Sequence, residues 1–271
     1  RIPTPYHNTN RKILNMSMLA YKPKCVLITG ATSDFGKKFA KRFAEHDIKL
    51  VLHGRNRDKL QAISDELDVH HHLMVFDCND EASIQRAFDT LPAEFQDIDL
   101  LINNAGGALG GEKFHESELD DSLSMVSANI TSLISISHKT LQLMNKNKRG
   151  HIVNIGSVAG NWPVPGGHVY CASKAFTRQF SLSLRADLGD TNIRVTNIEP
   201  GMTETNFALN RFKGDADKAS GVYANAKPLQ ADDIAETVFW CATMPEHVNI
   251  NTLEIMSQRQ SFGPLAVERR D

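Results

Sequence analysis

The stretch "TGATSDFG", residues 29–36, follows the apolar run "CVLI" (25–28) and precedes the helical pattern "KKFAKRFAEH" (37–46). A strand, a glycine-rich turn and a helix in that order are typical of a dinucleotide pyrophosphate site, because the free N–H groups at the helix start favour an anion. The turn contains an acid, Asp34. We expect Asp34 to be the helix N-cap, which aspartate favours. The alternative is that it weakens pyrophosphate binding.

The same alternation of short apolar runs and amphipathic runs continues along the chain. Strands are predicted at 25–29, 49–54, 71–77, 98–104, 150–156, 193–201 and 251–256. Helices are predicted at 36–46, 58–67, 80–90, 120–144, 169–188 and 232–243. Apolar strands separated by helices indicate a parallel sheet that is covered on both sides. The predicted fold is therefore α/β: a single-domain, doubly wound parallel sheet of the Rossmann type, with helices on both faces and residues 202–230 inserted above the sheet.

The composition is that of a globular protein without a strongly charged surface. The chain has 271 residues, of which 41% are hydrophobic, and a formal net charge of −2. This balance predicts no nucleic-acid partner and no membrane partner, and the apolar runs are too short to cross a bilayer. The four cysteines have no paired spacing. We therefore expect intracellular thiols in a cytoplasmic protein, and no metal site.

The first 24 residues differ from the rest, because they include several basic residues and no acid. We expect residues 1–24 to be a flexible N-terminal arm or a tag remnant. The alternative is a mitochondrial-type targeting segment. Residues 25–271 are expected to form the one Rossmann-type domain.

Ligands of such a sheet bind beyond the carboxyl ends of its strands, and the segment after the fifth strand carries reactive side chains. Tyr170 and Lys174 in "YCASK" are four residues apart, so they share one face of a helix. An ammonium group lowers the pKa of a nearby phenol, and we expect Lys174 to make Tyr170 a general acid or base in this way. Ser157 ends the strand thirteen residues earlier and is placed to hydrogen-bond a developing alkoxide. Alternatively, the three are a packed tyrosine, a surface lysine and a turn serine.

Together these motifs resemble the short-chain dehydrogenase/reductase family across about residues 24–257. "TGATSDFG" matches the family's cofactor turn TGxxxGxG except that Asp34 replaces the middle glycine. "NNAG" (103–106) matches the motif after the fourth strand, and "PGMTET" (200–205) matches the nicotinamide-side loop. Three longer segments are similar to the NADP-dependent 3-hydroxy acid dehydrogenases of that family: "FDTLPAEFQDIDLLINNAGGALG", "IEPGMTETNFALNRFKGD" and "HVNINTLEIM".

The resemblance implies a role for each matching residue. Tyr170 is the implied acid/base, Lys174 its partner and the ligand of the nicotinamide ribose, and Ser157 the group that positions the substrate oxygen. Asn129, the fourth catalytic position, is implied to hold a water that links Lys174 to solvent; the alternative is an asparagine at a helix kink. Asp77 is implied to accept from the adenine amino group, although a strand-end aspartate can equally cap the next turn. The full implied cofactor set is Gly30, Thr32, Ser33, Phe35, Gly36, Arg55, Asp77, Asn104, Gly106, Tyr170, Lys174, Pro200, Gly201, Thr203 and Thr205.

The second strand indicates which dinucleotide binds. NAD sites place an acid about 20 residues beyond the turn, at the end of this strand, for the ribose hydroxyl. Here "HGRNR" (53–57) offers Arg55, 19 residues after Gly36. From the start of the strand at residue 49, the first acid is Asp58. A guanidinium suits a phosphate, so NADP is the predicted cofactor. Otherwise Arg55 is a solvated loop charge.

The predicted protein is an NADP-dependent oxidoreductase that interconverts the hydroxyl and carbonyl of a short 3-hydroxy acid, of the serine, allo-threonine or 3-hydroxypropionate type. The substrate carboxylate needs a cation. Our candidate is Arg211 in "NRFKG" (210–214), with His168 as a second pocket residue, unless both are ordinary solvated side chains. The alternatives are a reductase of 3-oxoacyl or other uncharged ketones, and a catalytically silent NADP-binding sensor. The resemblance further implies a homotetramer formed through helices 120–144 and 169–188.

Overall fold

Seven strands form one parallel sheet in the computed structural model, which describes residues 20–263 and 267. The sheet strands are β1 (Cys25–Ile28), β2 (Lys49–Gly54), β3 (His71–Val75), β4 (Leu100–Asn103), β5 (Gly150–Ile155), β6 (Ile193–Pro200) and β9 (Thr252–Ile255). A separate pair is formed by β7 (Thr203–Glu204) and β8 (Leu229–Gln230). The sheet order is β3-β2-β1-β4-β5-β6-β9. Because the strand order reverses between β1 and β4, a crevice opens at their carboxyl ends.

Helices cover both faces of this sheet, which confirms the predicted fold class. They are α1 (Asp34–Ala44), α2 (Arg57–Ser64), α3 (Glu81–Asp89), α4 (Leu119–Val126), α5 (Ser132–Asn147), α6 (His168–Asp187), α7 (Phe207–Arg211), α8 (Ala216–Tyr223) and α9 (Ala231–Ala242). Alternate residues of β1 enter different cores. Val26 packs with Phe39 and Phe239 on one side, whereas Leu27 packs with Ile136 and Met144 on the other. Strands buried on both faces explain the continuous apolar runs in the sequence.

The helix predicted at 120–144 is not continuous. It consists of α4 and α5 joined by a π-helical turn, Ser127–Thr131. The wide turn carries the Asn129 side chain, which accepts a hydrogen bond from Gly107 N (2.9 Å) and donates one to Gly107 O (2.9 Å). The helical periodicity of the sequence does not predict a π-helical turn here. The turn is associated with the contact between Asn129 and the loop at Gly107, which is distant in sequence.

The folded chain includes residues before the boundary that we expected at Cys25. The Tyr21 side chain is buried. Its hydroxyl donates to Asp99 Oδ2 (3.1 Å) and accepts from Arg149 Nε (2.7 Å). The rest of the predicted N-terminal arm, residues 1–19, lies outside the described residues. Among the helices that the structure describes, none is long and apolar enough to cross a membrane.

Candidate active site

The turn between β1 and α1 is built from backbone that side chains would obstruct. Gly30 has a φ of +63°, and a Cβ there would lie 3.1 Å from Ala105 Cα. A Cβ on Gly36 would lie 2.3 Å from Gly30 O. The Asn104 amide closes the turn by donating to Thr29 O (2.9 Å), Gly30 O (3.0 Å) and Ser33 Oγ (3.0 Å). The predicted segments "TGATSDFG" and "NNAG" therefore form one rigid surface with exposed backbone, which fits a pyrophosphate.

Asp34 is not the helix N-cap, so that prediction was wrong. The N-cap is Ser33, whose backbone is extended and whose Oγ accepts from Gly36 N (3.1 Å). Asp34 is the first helical residue, and its carboxylate turns the other way: Oδ2 accepts from Asn206 N (2.7 Å) and Oδ1 from Asn206 Nδ2 (3.2 Å). Ser33 is the cap because it is the last residue with extended backbone before the helix. The Asp34 carboxylate is therefore available for a residue that is distant in sequence.

His53 supports the turn from behind, a role that the sequence analysis missed. Its ring is buried, stacks on Phe76 at 3.7 Å, and accepts from Gly30 N through Nδ1 (3.3 Å). Burial lowers the pKa of His53 to about 4, so the ring is neutral and the Nδ1 acceptor is preserved. Its signal in the sequence is a histidine within an otherwise apolar strand. Arg55, two residues later, is exposed, as is Asp77, whose Oδ1 accepts from Asn79 N (2.9 Å) as a turn aspartate does.

The three principal catalytic candidates meet where β5 ends and α6 begins. Ser157 Oγ donates to Pro200 O (3.5 Å) and accepts from Ala159 N (3.1 Å), and the Ser157 hydroxyl lies close enough to Tyr170 to lower the pKa of the phenol. Lys174 Nζ lies 5.8 Å from the centre of the Tyr170 ring and donates to Ile155 O (2.8 Å). The four-residue spacing thus places the phenol and the ammonium group on one face of α6, as predicted.

The expected direction of the Tyr170 pKa shift was wrong. Burial raises the pKa of Tyr170 to about 12, and the hydrogen bond to Ser157 and the charge of Arg211 lower it by less. Burial also lowers the pKa of Lys174 to about 8. Both side chains are partly buried, and burial disfavours a charge on either of them. Tyr170 is therefore a protonated phenol at neutral pH, a state that suits a proton donor.

Asn129 joins the loop after β4 to helix α6. Besides its two bonds to Gly107, its Nδ2 donates to Ser173 Oγ (2.9 Å), and Ser173 Oγ in turn donates to Tyr170 O (2.7 Å). Gly106 has a φ of +142°, and a Cβ there would lie 2.6 Å from Asn129 Oδ1. The π turn thus positions both the "NNAG" loop and the helix that carries Tyr170. The water implied for Asn129 stays a prediction.

The segment after β6, residues 202–214, lies across the crevice, and we call it the lid. Its first part is held by a residue that the sequence analysis missed: Gln260 Oε1 accepts from Met202 N (2.7 Å). A Cβ on Gly201 would lie 2.3 Å from that same Oε1 atom. Thr203 Oγ1 donates to Gly201 O (3.1 Å), and Thr205 Oγ1 accepts from Phe207 N (3.2 Å). Pro200 and Gly201 therefore connect the neighbourhood of Ser157 to the lid, and Thr203 and Thr205 lie in the first part of the lid.

The far part of the lid spans the mouth of the crevice. Arg211 Nε donates to Gly110 O (2.8 Å) and its Nη2 to Gly166 O (3.2 Å). Lys213 pairs with Asp121 at 2.7 Å. The two cations of the lid therefore differ in position: the charge of Arg211, the predicted candidate, acts on Tyr170, whereas Lys213 points to α4.

Two further aromatic side chains belong to the candidate site: Phe207, which lies beside Tyr170, and the predicted pocket residue His168. The ring of Phe207, from the lid, lies 5.5 Å from the ring of Tyr170, and the sequence analysis gave it no role. His168 packs against Phe114 at 5.0 Å, and within the part of the chain that the structure describes its buried Nδ1 has no hydrogen-bond partner. Such a nitrogen inside a pocket wall is suited to a ligand that brings a donor or an acceptor. In the same part of the chain, no group of three or more His, Cys, Asp or Glu residues is arranged to hold a metal ion.

The site thus brings together a phenol, an ammonium group and a hydroxyl beside a turn that fits a pyrophosphate. Such a site defines an enzyme that transfers a proton next to a dinucleotide. Residues 24–216 match the family described as short chain dehydrogenase, and the chain belongs to that family. The resemblance noted from the motifs is therefore confirmed.

Three similar proteins extend the comparison. An NADP-dependent 3-hydroxy acid dehydrogenase YdfG of Salmonella typhi is 48% identical over 245 residues, which cover 90% of this chain and 99% of that protein. Sulfoacetaldehyde reductase 2 of Chromohalobacter salexigens is 45% identical over 247 residues, 90% of this chain and 98% of that one. The closed form of a serine dehydrogenase complexed with NADP+ superposes with a TM-score of 0.87 at 45% identity, covering 91% of this chain and 100% of that chain.

Proposed function

We propose that this protein is an NADP-dependent oxidoreductase that interconverts the hydroxyl and the carbonyl of a short 3-hydroxy acid. The observation that carries the proposal is the meeting of Ser157, Tyr170 and Lys174 under a lid whose Arg211 acts on the same phenol. The similar proteins act on a 3-hydroxy acid, sulfoacetaldehyde or serine by their names. Each of these substrates carries an acid group on a short chain, which requires a cation close to the reacting carbon.

The residues of the turn fit NADP. Gly30 and Gly36 leave a surface that any side chain would fill, and Thr32, Ser33 and Phe35 continue it into the first turn of α1. Arg55 is exposed at the end of β2, where we assign it to the 2′-phosphate. Bound there, NADP supplies or accepts the hydride.

The chain's own groups then handle the oxygen and its proton. In the direction of reduction, the Tyr170 hydroxyl donates its proton to the substrate oxygen while Ser157 holds that oxygen by a hydrogen bond. Lys174 keeps a positive charge beside the phenolate that remains, which stabilises it. In the direction of oxidation the phenolate takes the proton back.

Arg211 is our ligand for the substrate carboxylate. A guanidinium has five N–H donors, and the two bonds to Gly110 O and Gly166 O use Nε and Nη2. The charge of Arg211 acts on Tyr170, which supports placing the substrate carboxylate on the Tyr170 side of the lid. We assign His168 Nδ1, which has no hydrogen-bond partner among the described residues, as a second polar contact for the substrate.

Arg211→Ala is expected to raise the KM for a 3-hydroxy acid about 10- to 150-fold, because a charge-assisted hydrogen bond contributes about 1.5–3 kcal/mol. The KM for an uncharged alcohol of similar size should change far less. Because the lid is needed for both substrates, loss of the contacts of Arg211 with Gly110 and Gly166 affects both KM values. The ratio of the two KM values therefore measures the contribution of the contact between Arg211 and the carboxylate.

Lys213→Ala is the matched control, since it removes a lid cation that points away from Tyr170. Steady-state kinetics with NADP+ and both substrates measures the effect. Equal increases of KM for the charged and the uncharged substrate would remove Arg211 from the substrate site and favour the uncharged-ketone alternative.

We also propose that the chain assembles as a homotetramer in the cytoplasm. Apolar residues of α4 and α5 are exposed: Leu119 (65%), Leu123 (57%), Val126 (38%) and Ile134 (43%). Apolar patches of this kind are typical of subunit interfaces. Light scattering at micromolar concentration should give four times the mass of 30.1 kDa, and Leu123→Glu should reduce it. A monomeric mass for the unmodified chain would contradict the proposal.

The cytoplasmic assignment is supported by four free cysteines.

A further inference from the structure

Asp34 and Asn206 join two parts of the site that are 172 residues apart in sequence. Asp34 belongs to the cofactor turn, and Asn206 belongs to the lid, directly before α7. The carboxylate accepts both the backbone N–H and the side-chain amide of the same residue, at 2.7 Å and 3.2 Å. We name this pair of hydrogen bonds the clasp.

The clasp fixes the lid at the point where the lid reaches the catalytic tyrosine. Phe207 follows Asn206 in the chain, and its ring lies 5.5 Å from the ring of Tyr170. Its backbone N–H is also bound to Thr205 Oγ1. A movement of Asn206 away from Asp34 would therefore carry Phe207 away from Tyr170 and admit water to the phenol.

The other lid fastenings reach different loops. Arg211 is bound to the carbonyls of Gly110 and Gly166, which belong to the loops after β4 and β5, and Lys213 is bound to Asp121 on α4. Asp34 instead connects the lid to the turn in which we place the pyrophosphate. The near end of the lid is therefore held by the cofactor turn and by Gln260, and the far end is held by the loops after β4 and β5 and by α4.

We propose that Asp34 is a positioning residue that fastens the lid to the cofactor turn through Asn206 and so sets Phe207 against Tyr170. The inference deepens the proposed function and rests on it for the identity of the ligands, whereas the contact itself does not depend on any substrate. It explains why an acid is tolerated in a turn for phosphate: the carboxylate is directed to two N–H groups of the lid.

The test compares Asp34→Ala, Asn206→Ala and the double variant with the unmodified chain. Asp34→Ala should raise the KM for the substrate about 3- to 10-fold and leave kcat within about twofold, since Ser157, Tyr170 and Lys174 are untouched. Amide hydrogen exchange of the NADP+-bound protein should become faster in residues 202–214 and stay unchanged in the rest of α1. Asn206→Ala removes only the side-chain bond of the clasp, so its effect should be smaller; the double variant should be no worse than Asp34→Ala, because Asp34→Ala already removes both bonds.

Asp120→Ala is the matched control, because Asp120, like Asp34, is an acid in the first turn of a helix, and its side chain is exposed. It should change neither KM nor exchange in the lid. Unchanged exchange at 202–214 in Asp34→Ala, or additive effects in the double variant, would overturn the inference. Loss of protection across the whole of α1 would also overturn it, since Asp34 would then act on its own helix. Hydrogen exchange measures the effect of the clasp on the lid and needs no substrate. An error in the proposed substrate class would therefore change the kinetic results but not the exchange results.

Discussion

Tyr170→Phe is expected to reduce turnover by about 10²- to 10⁴-fold, the usual contribution of a general acid, while NADPH affinity stays nearly unchanged. The substitution deletes the transferable proton but keeps the ring that packs against Phe207. NADPH consumption with a short 3-oxo acid or aldehyde measures turnover, and titration of the protein with NADPH measures affinity. Tyr223→Phe is the control, because its hydroxyl donates to Thr205 O (3.4 Å) and has no place in the reaction.

The same assignment predicts opposite pH profiles for the two directions. Reduction needs a protonated Tyr170 and a charged Lys174. Since the pKa of Tyr170 is raised to about 12 and that of Lys174 is lowered to about 8, reduction should be constant below about pH 8 and fall above it. Oxidation needs the phenolate and the charged Lys174 that stabilises it, so its rate should rise with pH up to about pH 8. A variant Tyr170→Phe that kept a substantial part of its activity, or an oxidation rate that fell with rising pH below about pH 8, would show that Tyr170 is not the acid/base.

Arg55→Ala is expected to weaken NADPH binding about 10- to 150-fold and to change NADH binding little. The substitution removes a charge-assisted contact of about 1.5–3 kcal/mol that the 2′-phosphate alone can make. Equilibrium titration with both cofactors measures the difference. Arg57→Ala is the matched control, an exposed arginine two residues further on at the start of α2. Equal losses for the two cofactors would mean that Arg55 does not recognise the 2′-phosphate.

The sequence was sufficient for the parts of the structure that depend on local periodicity. The seven sheet strands lie within the predicted ranges because their residues are buried on both faces and read as continuous apolar runs. The pairing of Tyr170 with Lys174 followed from a four-residue helical spacing, and Ser157 followed from its position at a strand end. The motifs also identified the family, which the comparison confirms.

The incorrect predictions concern interactions between distant segments. The partner of Asp34 is Asn206, and no local pattern indicates that contact. The pKa of Tyr170 depends on burial that the lid helps to produce, which composition does not reveal. The π turn at Asn129 exists beside the Gly107 loop, and its sequence "SANIT" is ordinary for a helix. In each case a tertiary contact decided the outcome.

The anchoring of Tyr21 has a practical consequence for attaching the enzyme to a surface. Tyr21 packs on Arg194, near the amino end of β6, with 5.1 Å between the guanidinium and the ring. Pro200, at the carboxyl end of the same strand, adjoins Ser157. Six residue steps of a strand separate these ends by about 20 Å. A linker joined ahead of Tyr21 would therefore tether the protein by the amino ends of its strands, and the substrate entrance would face the solution.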